Sequence, residues 1–318
     1  MDRSIKSEIV ISVVIATYNR AKYLSKAIEG LINQTLEKSQ YEILVVDNNS
    51  TDNTKQIVLD LMKAVPNLKY IYEAISGANN ARNTGWKNAI GKYVAYLDDD
   101  AIPSHIWLER ILFAFESVSP KPGIVGGKVI PIWESEKPSW VKGRLLKALS
   151  VVDYSEEARF LENKEFLYSV NMALQRELLA RFQGFDVSLG RKGKRLTSND
   201  EILIAIKIKN AGYKFYYDPL IAVEHLVPSN RLTHKWFFKR YYQQGYSDAL
   251  MWMLLEKPSL WVWFKKFIYY IYGFVRNPTH IFYLLFKPAK AENIILTLLI
   301  YARIGFIKGL WQKNECKS

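Results

Sequence analysis

Along the first hundred positions the chain alternates apolar runs with segments of helical periodicity. The run IVISVVIA at 9–16 is rich in Val and Ile and suits a strand covered on both faces. The polar turn Thr17-Tyr18-Asn19-Arg20 follows, with Asn19 as an N-cap, and Leu24, Ile28, Leu31 and Ile32 then recur at helical spacing. The pattern repeats. Residues 43–46 predict a second strand, the turn 47–52 is full of capping residues, and Ile57, Val58, Leu61 and Met62 mark a second helix. Residues 68–72 predict a third strand, SGANNARNTGW leads into a third helix, and YVAYLDDD at 93–100 is a fourth strand ending abruptly in charge. Strands alternating with helices through short links predict an α/β fold with a doubly wound, mostly parallel sheet flanked by helices.

Further on, 102–115 predicts a helix, 124–130 a strand through Gly126-Gly127, and 166–174 another strand, with Gly184-Phe185-Asp186 closing a short helix. The segment 131–165 has no clear period and reads as a substrate-facing excursion, because long irregular stretches in compact domains are usually functional or mobile. Ile202, Leu203, Ile206 and Ile208 form an amphipathic helix ended by Gly212. An apolar strand at 220–223 leads to His225.

Chemistry concentrates at the ends of these strands. Three adjacent carboxylates, Asp98, Asp99 and Asp100, repel one another, and keeping them ionised calls for a divalent cation with oxygen ligands, Mg2+ or Mn2+, which in turn would hold a diphosphate. A solvated acidic loop or the first turn of the next helix is the alternative. Asp47 stands at its strand end as Asp98 does, facing the same crevice or accepting hydrogen bonds from its own turn. Arg82, in the first turn of the third helix, is unfavourable for the helix dipole unless an anion lies nearby; otherwise it is a surface arginine. Ser198-Asn199-Asp200-Glu201 has the form of a capping box, with Asp200 or Glu201 as a general base in the crevice as the other reading. His225 is a packed or surface residue, or a third ligand if a metal sits at Asp100. Arg231 belongs either to a loop over the crevice or to the surface.

Composition narrows the classes. The 318 residues allow one large domain with an appendage, or two small domains, and half of them are hydrophobic, which excludes disorder. One cysteine, Cys316, leaves no intramolecular disulfide and agrees with a reducing compartment. Arg3 and Lys6 before the run at 9–16 echo a signal peptide faintly, but Glu8 and the shortness of the run favour a first strand. The net charge is +13, of which +10 falls in 231–318 together with 21 of the 44 aromatic residues. There, Lys265, Lys266, Arg276 and Pro278 break the apolar stretch 260–286, and Arg303 breaks 294–310, so neither gives the ~20 uninterrupted apolar residues of a spanning helix. Amphipathic helices in a headgroup region fit, as does a packed helical subdomain or an oligomer interface.

Taken in order, SVVIATYNR, ILVVDNNSTDNT, GANNARNTG, YLDDD, GGKV, NMAL followed by GFD, NDEILIAIKIKNAGY and the final His225 resemble the family 2 glycosyltransferases of GT-A fold over roughly 9–231. The resemblance implies a transferase domain at 1–230, with a nucleotide-sugar half at 1–118 and an acceptor half at 119–230, and a helical aromatic and basic extension at 231–318. It implies nucleotide-sugar contacts from Thr17, Asn19, Asp47, Arg82, Asp98 and Asp99, and a divalent metal, Mn2+ or Mg2+, on Asp100 and Asp98 with His225. The family's Glu-Asp pair reads Asp200-Glu201 here, reversed in type, with Glu201 in the register of the base and Asp200 beside it. Implied partners are a nucleotide-sugar donor, a UDP-sugar favoured, and a saccharide or lipid-linked acceptor, with inversion at the anomeric carbon. The expected place is the cytoplasm, peripheral at the cytosolic face of the inner or plasma membrane. Three other classes compete. A non-catalytic member would have lost the metal motif or the base, and both are present. A nucleic-acid binder is suggested only by charge, and an acid-lined crevice opposes it. A nucleotidyltransferase would want a Gly-rich loop after the first strand, where IATYNRAKY has no glycine.

Overall fold

A computed structural model describes residues 8–162, 165–193, 195–276 and 294–311. Cys316, Arg3 and Lys6, and the part of the apolar stretch from 277 to 286 with Pro278, lie outside the described residues.

The strands β1 (Ile11–Thr17), β2 (Tyr41–Asp47), β3 (Leu68–Tyr72) and β4 (Tyr93–Leu97) alternate with helices α1 (Ala21–Ile32), α2 (Thr54–Met62) and α3 (Ala78–Asn88). They are parallel and lie in the order β3-β2-β1-β4. β2 and β4 are buried along their whole length, which is why they read as continuous apolar runs. The chain winds outward from β1 to β3 and then returns to place β4 on the other side of β1. That reversal opens a crevice at the C-terminal ends of β1 and β4, where open α/β sheets bind ligands. Gly85 lets α3 lie directly on β1, since a Cβ there would fall 2.3 Å from Val14 Cγ1.

Beyond β4 the sheet becomes mixed. β8 (Asn171–Gln175) runs antiparallel to β4 and to β6 (Ile124–Trp133), and β6 runs parallel to the long β9 (Phe215–Val227). β5 (Ala101–Pro103) and β7 (Arg159–Phe160) both pair with β9 antiparallel. α4 (Trp107–Ser117), α5 (Arg144–Lys147), α6 (Arg176–Phe182) and α7 (Asp200–Asn210) complete this part. One apolar core runs through β1, β2, β4, β6 and β8, with Trp107 and Tyr93 among its largest fully buried side chains.

Three expectations need correction. Residues 101–103 are a strand, and the helix begins only at Trp107, because pairing of Ala101 with His225 outweighs the local pattern; Pro103 is tolerated there because β5 is the edge of the sheet. The strand expected over 166–174 is confined to Asn171–Gln175, since Asn171 N–H closes a turn onto Tyr168 C=O. The strand expected over 220–223 extends to 13 residues, with His225 inside it.

α8 (His234–Glu256), α9 (Leu260–Val275) and α10 (Ile294–Trp311) follow. α8 and α10 cross in close contact: a Cβ on Gly245 would fall 1.7 Å from Ala302 O, and one on Gly305 1.8 Å from Tyr242 O. Among the described residues α10 is the one helix long and apolar enough to cross a membrane by length and composition, and 44% of it is buried inside the protein. α9 turns Trp263 and Phe267 toward α8 and α10 and leaves Trp261, Phe264 and Tyr269 exposed.

Candidate active site

The crevice opens into a cavity of about 550 Å3 with acidic groups on two walls. On the first wall β1 delivers Thr17 and β4 delivers Asp98, Asp99 and Asp100. Thr17 Oγ1 donates to Asp99 Oδ2 at 2.7 Å. The register that sets Ala101 opposite His225 brings His225 Nε2 to 3.3 Å from Asp100 Oδ1. Arg20 Nη2 stands 3.3 Å from Asp100 Oδ2, and Arg231 Nη2 3.9 Å from the same oxygen. Burial raises the Asp99 carboxyl to about 7, helped by the neighbouring charge of Asp100. Burial opposes the Asp100 charge as well, but the hydrogen bond from His225 and the charges of His225, Arg231 and Arg20 hold that carboxyl below its ordinary range.

Asp98, Asp100 and His225 each offer one ligand atom, and these atoms lie within 4.8 Å of one another. Two carboxylates and an imidazole suit a divalent cation that takes oxygen and nitrogen ligands, so the donor set fits Mn2+ or Mg2+. The His225 Nδ1 atom is buried with no hydrogen-bond partner among the described residues.

The second wall is the start of α7. Asp200 Oδ2 accepts from Arg82 Nη1 at 2.7 Å, and Glu201 Oε1 accepts from Ser169 Oγ at 2.8 Å. Arg82 is held by Asn79 Oδ1 at 3.1 Å, and its Nη2 lies 3.9 Å from Asp98 and 4.0 Å from Glu201, so one guanidinium reaches both walls. Asp200 and Glu201 titrate as a pair. Burial and the charge of Glu201 push Asp200 well above the carboxylate range. Burial also opposes the Glu201 charge, but Arg82, Asp200 and Ser169 together hold Glu201 at about 2.

The capping-box reading of Ser198 and Glu201 is not what the chain does. The N-cap position of α7 is Asn199, at φ 73° and without a side-chain cap bond. Ser198 Oγ instead donates to Gln244 Oε1 at 3.0 Å and accepts from Arg240 at 3.3 Å, while Asn199 Nδ2 donates to Asp248 at 2.7 Å. The corner is tied down by α8, and Glu201 is left to face the cavity. Asn19 does not cap α1 either: at φ 52° its Oδ1 accepts from Thr51 N–H at 2.7 Å, joining the loops after β1 and β2. Asp47 is buried, accepting from Ser50 N–H and from Tyr70 Oη, both at 2.9 Å, and its neighbour Asn48 lines the cavity. Thr17, Arg82, Asp98, Asp99, Asp100, Asp200 and Glu201 share the cavity lining, and His225 stands behind Asp100. Arg20, Ser169, Arg240 and Gln244 also face it, and local pattern singled out none of them. Arg20 is the last residue of the turn after β1, and Arg240 and Gln244 are spaced i, i+4 among aromatics, the only traces they leave in the sequence.

A parallel half-sheet carrying three carboxylates past its fourth strand, facing an acidic helix start, defines a GT-A fold glycosyltransferase. The chain belongs to glycosyl transferase family 2, whose family model matches residues 12–182. It is 27% identical over 254 residues to the glucosyl-dolichyl phosphate glucuronosyltransferase of Haloferax volcanii, covering 78% of this chain and 79% of that one. A dolichyl N-acetyl-alpha-D-glucosaminyl phosphate 3-beta-D-2,3-diacetamido-2,3-dideoxy-beta-D-glucuronosyltransferase of Methanococcus voltae is 26% identical over 335 aligned positions, covering 96% and 98%. Among solved structures, the mannosyltransferase PcManGT of Pyrobaculum calidifontis, in complex with GDP-Man and Mn2+, superposes with a TM-score of 0.61 at 20% identity, covering 96% and 88%. S. aureus TarS with UDP superposes at 0.54 with 19% identity, covering 95% and 89%.

Proposed function

We propose that the chain is an inverting, divalent-metal-dependent glycosyltransferase that moves a sugar from a nucleoside-diphosphate donor, a UDP-sugar first among those to try, to a hydroxyl of a saccharide or lipid-linked acceptor. One observation carries this reading: a ligand set for a cation and a buried acid pair face each other across a single cavity. Asp98, Asp100 and His225 would hold Mn2+ or Mg2+, which supplies the positive charge that a departing diphosphate needs. Thr17, Asn19, Asp47, Arg82, Asp98 and Asp99 are assigned to the nucleotide-sugar. Asn19 and Asp47 would act by fixing the loops that shape the nucleotide side, given the bonds they make there. Glu201 takes the acceptor proton as the hydroxyl attacks the anomeric carbon from the face opposite the leaving group, with Asp200 beside it as the other candidate base. Ser169 and Arg82 orient that pair, and Arg82 adds charge against the diphosphate. The solved neighbour that binds GDP-Man and Mn2+ supports the donor and metal assignment, and the two archaeal relatives, named for dolichyl phosphate substrates, support a lipid-linked acceptor.

Residues 1–230 are assigned to transfer and 231–318 to an extension that lends Arg240 and Gln244 to the cavity wall. Peripheral contact with the cytosolic face of a membrane is supported by the exposed Trp261, Phe264 and Tyr269 of α9 beside Lys265 and Lys266. The test is a thermal-shift panel of UDP-, GDP- and dTDP-sugars with and without Mn2+, on wild type and Asp100→Ala. A nucleotide that raises the melting temperature only with Mn2+, and only when Asp100 is present, is the expected result. No shift with any donor on a folded protein would sink the reading.

A further inference from the structure

We propose that the base side of the cavity carries a second anion subsite, formed by Arg240 with Arg191, Arg195, Arg144 and Lys147, that binds a phosphate group on the acceptor. The proposal rests on the transferase reading above and adds to it the chemical class of the acceptor.

The starting point is a contrast among the arginines. Arg82 meets Asp200 at 2.7 Å, Arg110 meets Asp218 at 2.6 Å, and Arg231 lies 3.9 Å from Asp100. Arg240 is also partly buried, on the inner side of α8, yet its one side-chain hydrogen bond among the described residues is to a neutral hydroxyl, Ser198 Oγ at 3.3 Å. No carboxylate of the described residues comes within the 4.0 Å of an ion pair. Burial and the nearby charge of Arg191 lower its pKa to about 10, as expected for a cation short of a counterion. The other four cations line the same cavity, and none of them makes an ion pair among the described residues. Asp98–Asp100, Asp200 and Glu201 line the same cavity, but their ion pairs among the described residues go to Arg20, Arg82, Arg231 and His225. Arg240 and the other four cations are left without a paired acid, and an oxyanion is the ligand that would answer their mutual repulsion.

Position assigns this anion to the acceptor. The charges acting on Arg231 include those of Asp100, Arg20 and Asp98, the metal wall; those acting on Arg240 include Glu201 and Tyr168, the base wall. Geometry agrees: Arg240 donates to Ser198, two residues before Asp200, and Arg191 lines the same cavity. A donor diphosphate is answered at the metal wall. The hydroxyl that attacks must reach Glu201, so the remainder of the acceptor extends toward Arg240. A neutral sugar there would leave the charges unanswered, whereas a phosphomonoester or phosphodiester one residue removed from the hydroxyl would pair with them.

The test measures binding of farnesyl phosphate and of farnesol to the full chain by titration calorimetry, alone and with saturating Mn2+ and the nucleotide found by the donor panel. Wild type, Arg240→Gln and Arg191→Gln are compared; Arg191 is exposed and makes no side-chain hydrogen bond or ion pair among the described residues, so it reports even if the first variant misfolds. Expected are farnesyl phosphate binding that persists beside the nucleotide, at least tenfold weaker farnesol binding, and a loss of about tenfold or more in each variant with nucleotide affinity unchanged. Displacement by the nucleotide would assign the cations to the donor and overturn the proposal. Equal binding of farnesol, or competition by glucuronate with no binding of farnesyl phosphate, would overturn it too. Failure of the transferase reading shows separately, as no nucleotide binding in wild type.

Discussion

The two acidic walls of the cavity answer the same problem, buried carboxylates close together, in opposite ways. On the first, Asp99 and Asp100 face Arg20, Arg231 and His225 from elsewhere in the chain at 3.3–3.9 Å, and Asp98 faces Arg82 at 3.9 Å, so Thr17 on Asp99 at 2.7 Å is the one short side-chain bond to this wall among the described residues. On the second, Asp200 and Glu201 receive short bonds, 2.7 Å from Arg82 and 2.8 Å from Ser169, and burial together with the charge of Glu201 pushes the Asp200 carboxyl up. On the proposed reading, the loose wall would exchange its partners for a metal and its ligand, and the tight wall would hold or take up a proton. Arg82, within 4.0 Å of acids on both, couples them.

The largest effect is expected from removing that coupling. Arg82→Met leaves Asp200 and Glu201 buried without a cation and should cost about 3 kcal/mol in urea unfolding, the scale for breaking a buried pair from one side, together with loss of glycosyl transfer. A cost below about 1 kcal/mol would mean the walls are independent.

A second experiment tests the raised Asp200 carboxyl. Asp200 has a raised carboxyl, so the folded protein binds more protons than the unfolded chain above pH 4 and this group's contribution to stability falls as pH rises. Glu201→Gln removes the charge that helps raise it, leaving Arg82 to hold Asp200 ionised. The variant should therefore gain stability relative to wild type between pH 4 and 7, measured by unfolding at each pH. A constant difference across that window would place the proton elsewhere. The smallest effect is expected from Ser169→Ala, which removes one hydrogen bond to Glu201 and should cost about 1 kcal/mol.

The same contrast separates what local sequence reveals from what it hides. The first wall was legible because the ends of parallel strands follow from apolar runs: Thr17, Asp47 and Asp98–Asp100 fall at the C-terminal ends of β1, β2 and β4 by pattern alone. Asp200 and Glu201 were found by their place at a helix start, yet the capping box expected there does not form, because Gln244 and Arg240 claim Ser198 from 42 to 46 residues away. Their bonds depend on how α8 packs on α7, and no local periodicity encodes that. Ser169 was hidden for a related reason: 166–170 is apolar enough to read as strand but is irregular chain ending in a turn at Ser169-Val170 that sets the hydroxyl against Glu201. Likewise, Ile102 and Pro103 look helical until β9, more than a hundred residues on, supplies their partner.

The central claim is that one wall binds the donor and the other performs proton transfer. The most direct test measures Mn2+-dependent donor binding and glycosyl transfer side by side in wild type and Glu201→Gln. The account predicts donor affinity within about twofold of wild type and transfer reduced by roughly 10²–10⁴-fold, the scale of a lost general base. A variant that loses the donor, or that binds it and still transfers at the wild-type rate, would contradict it.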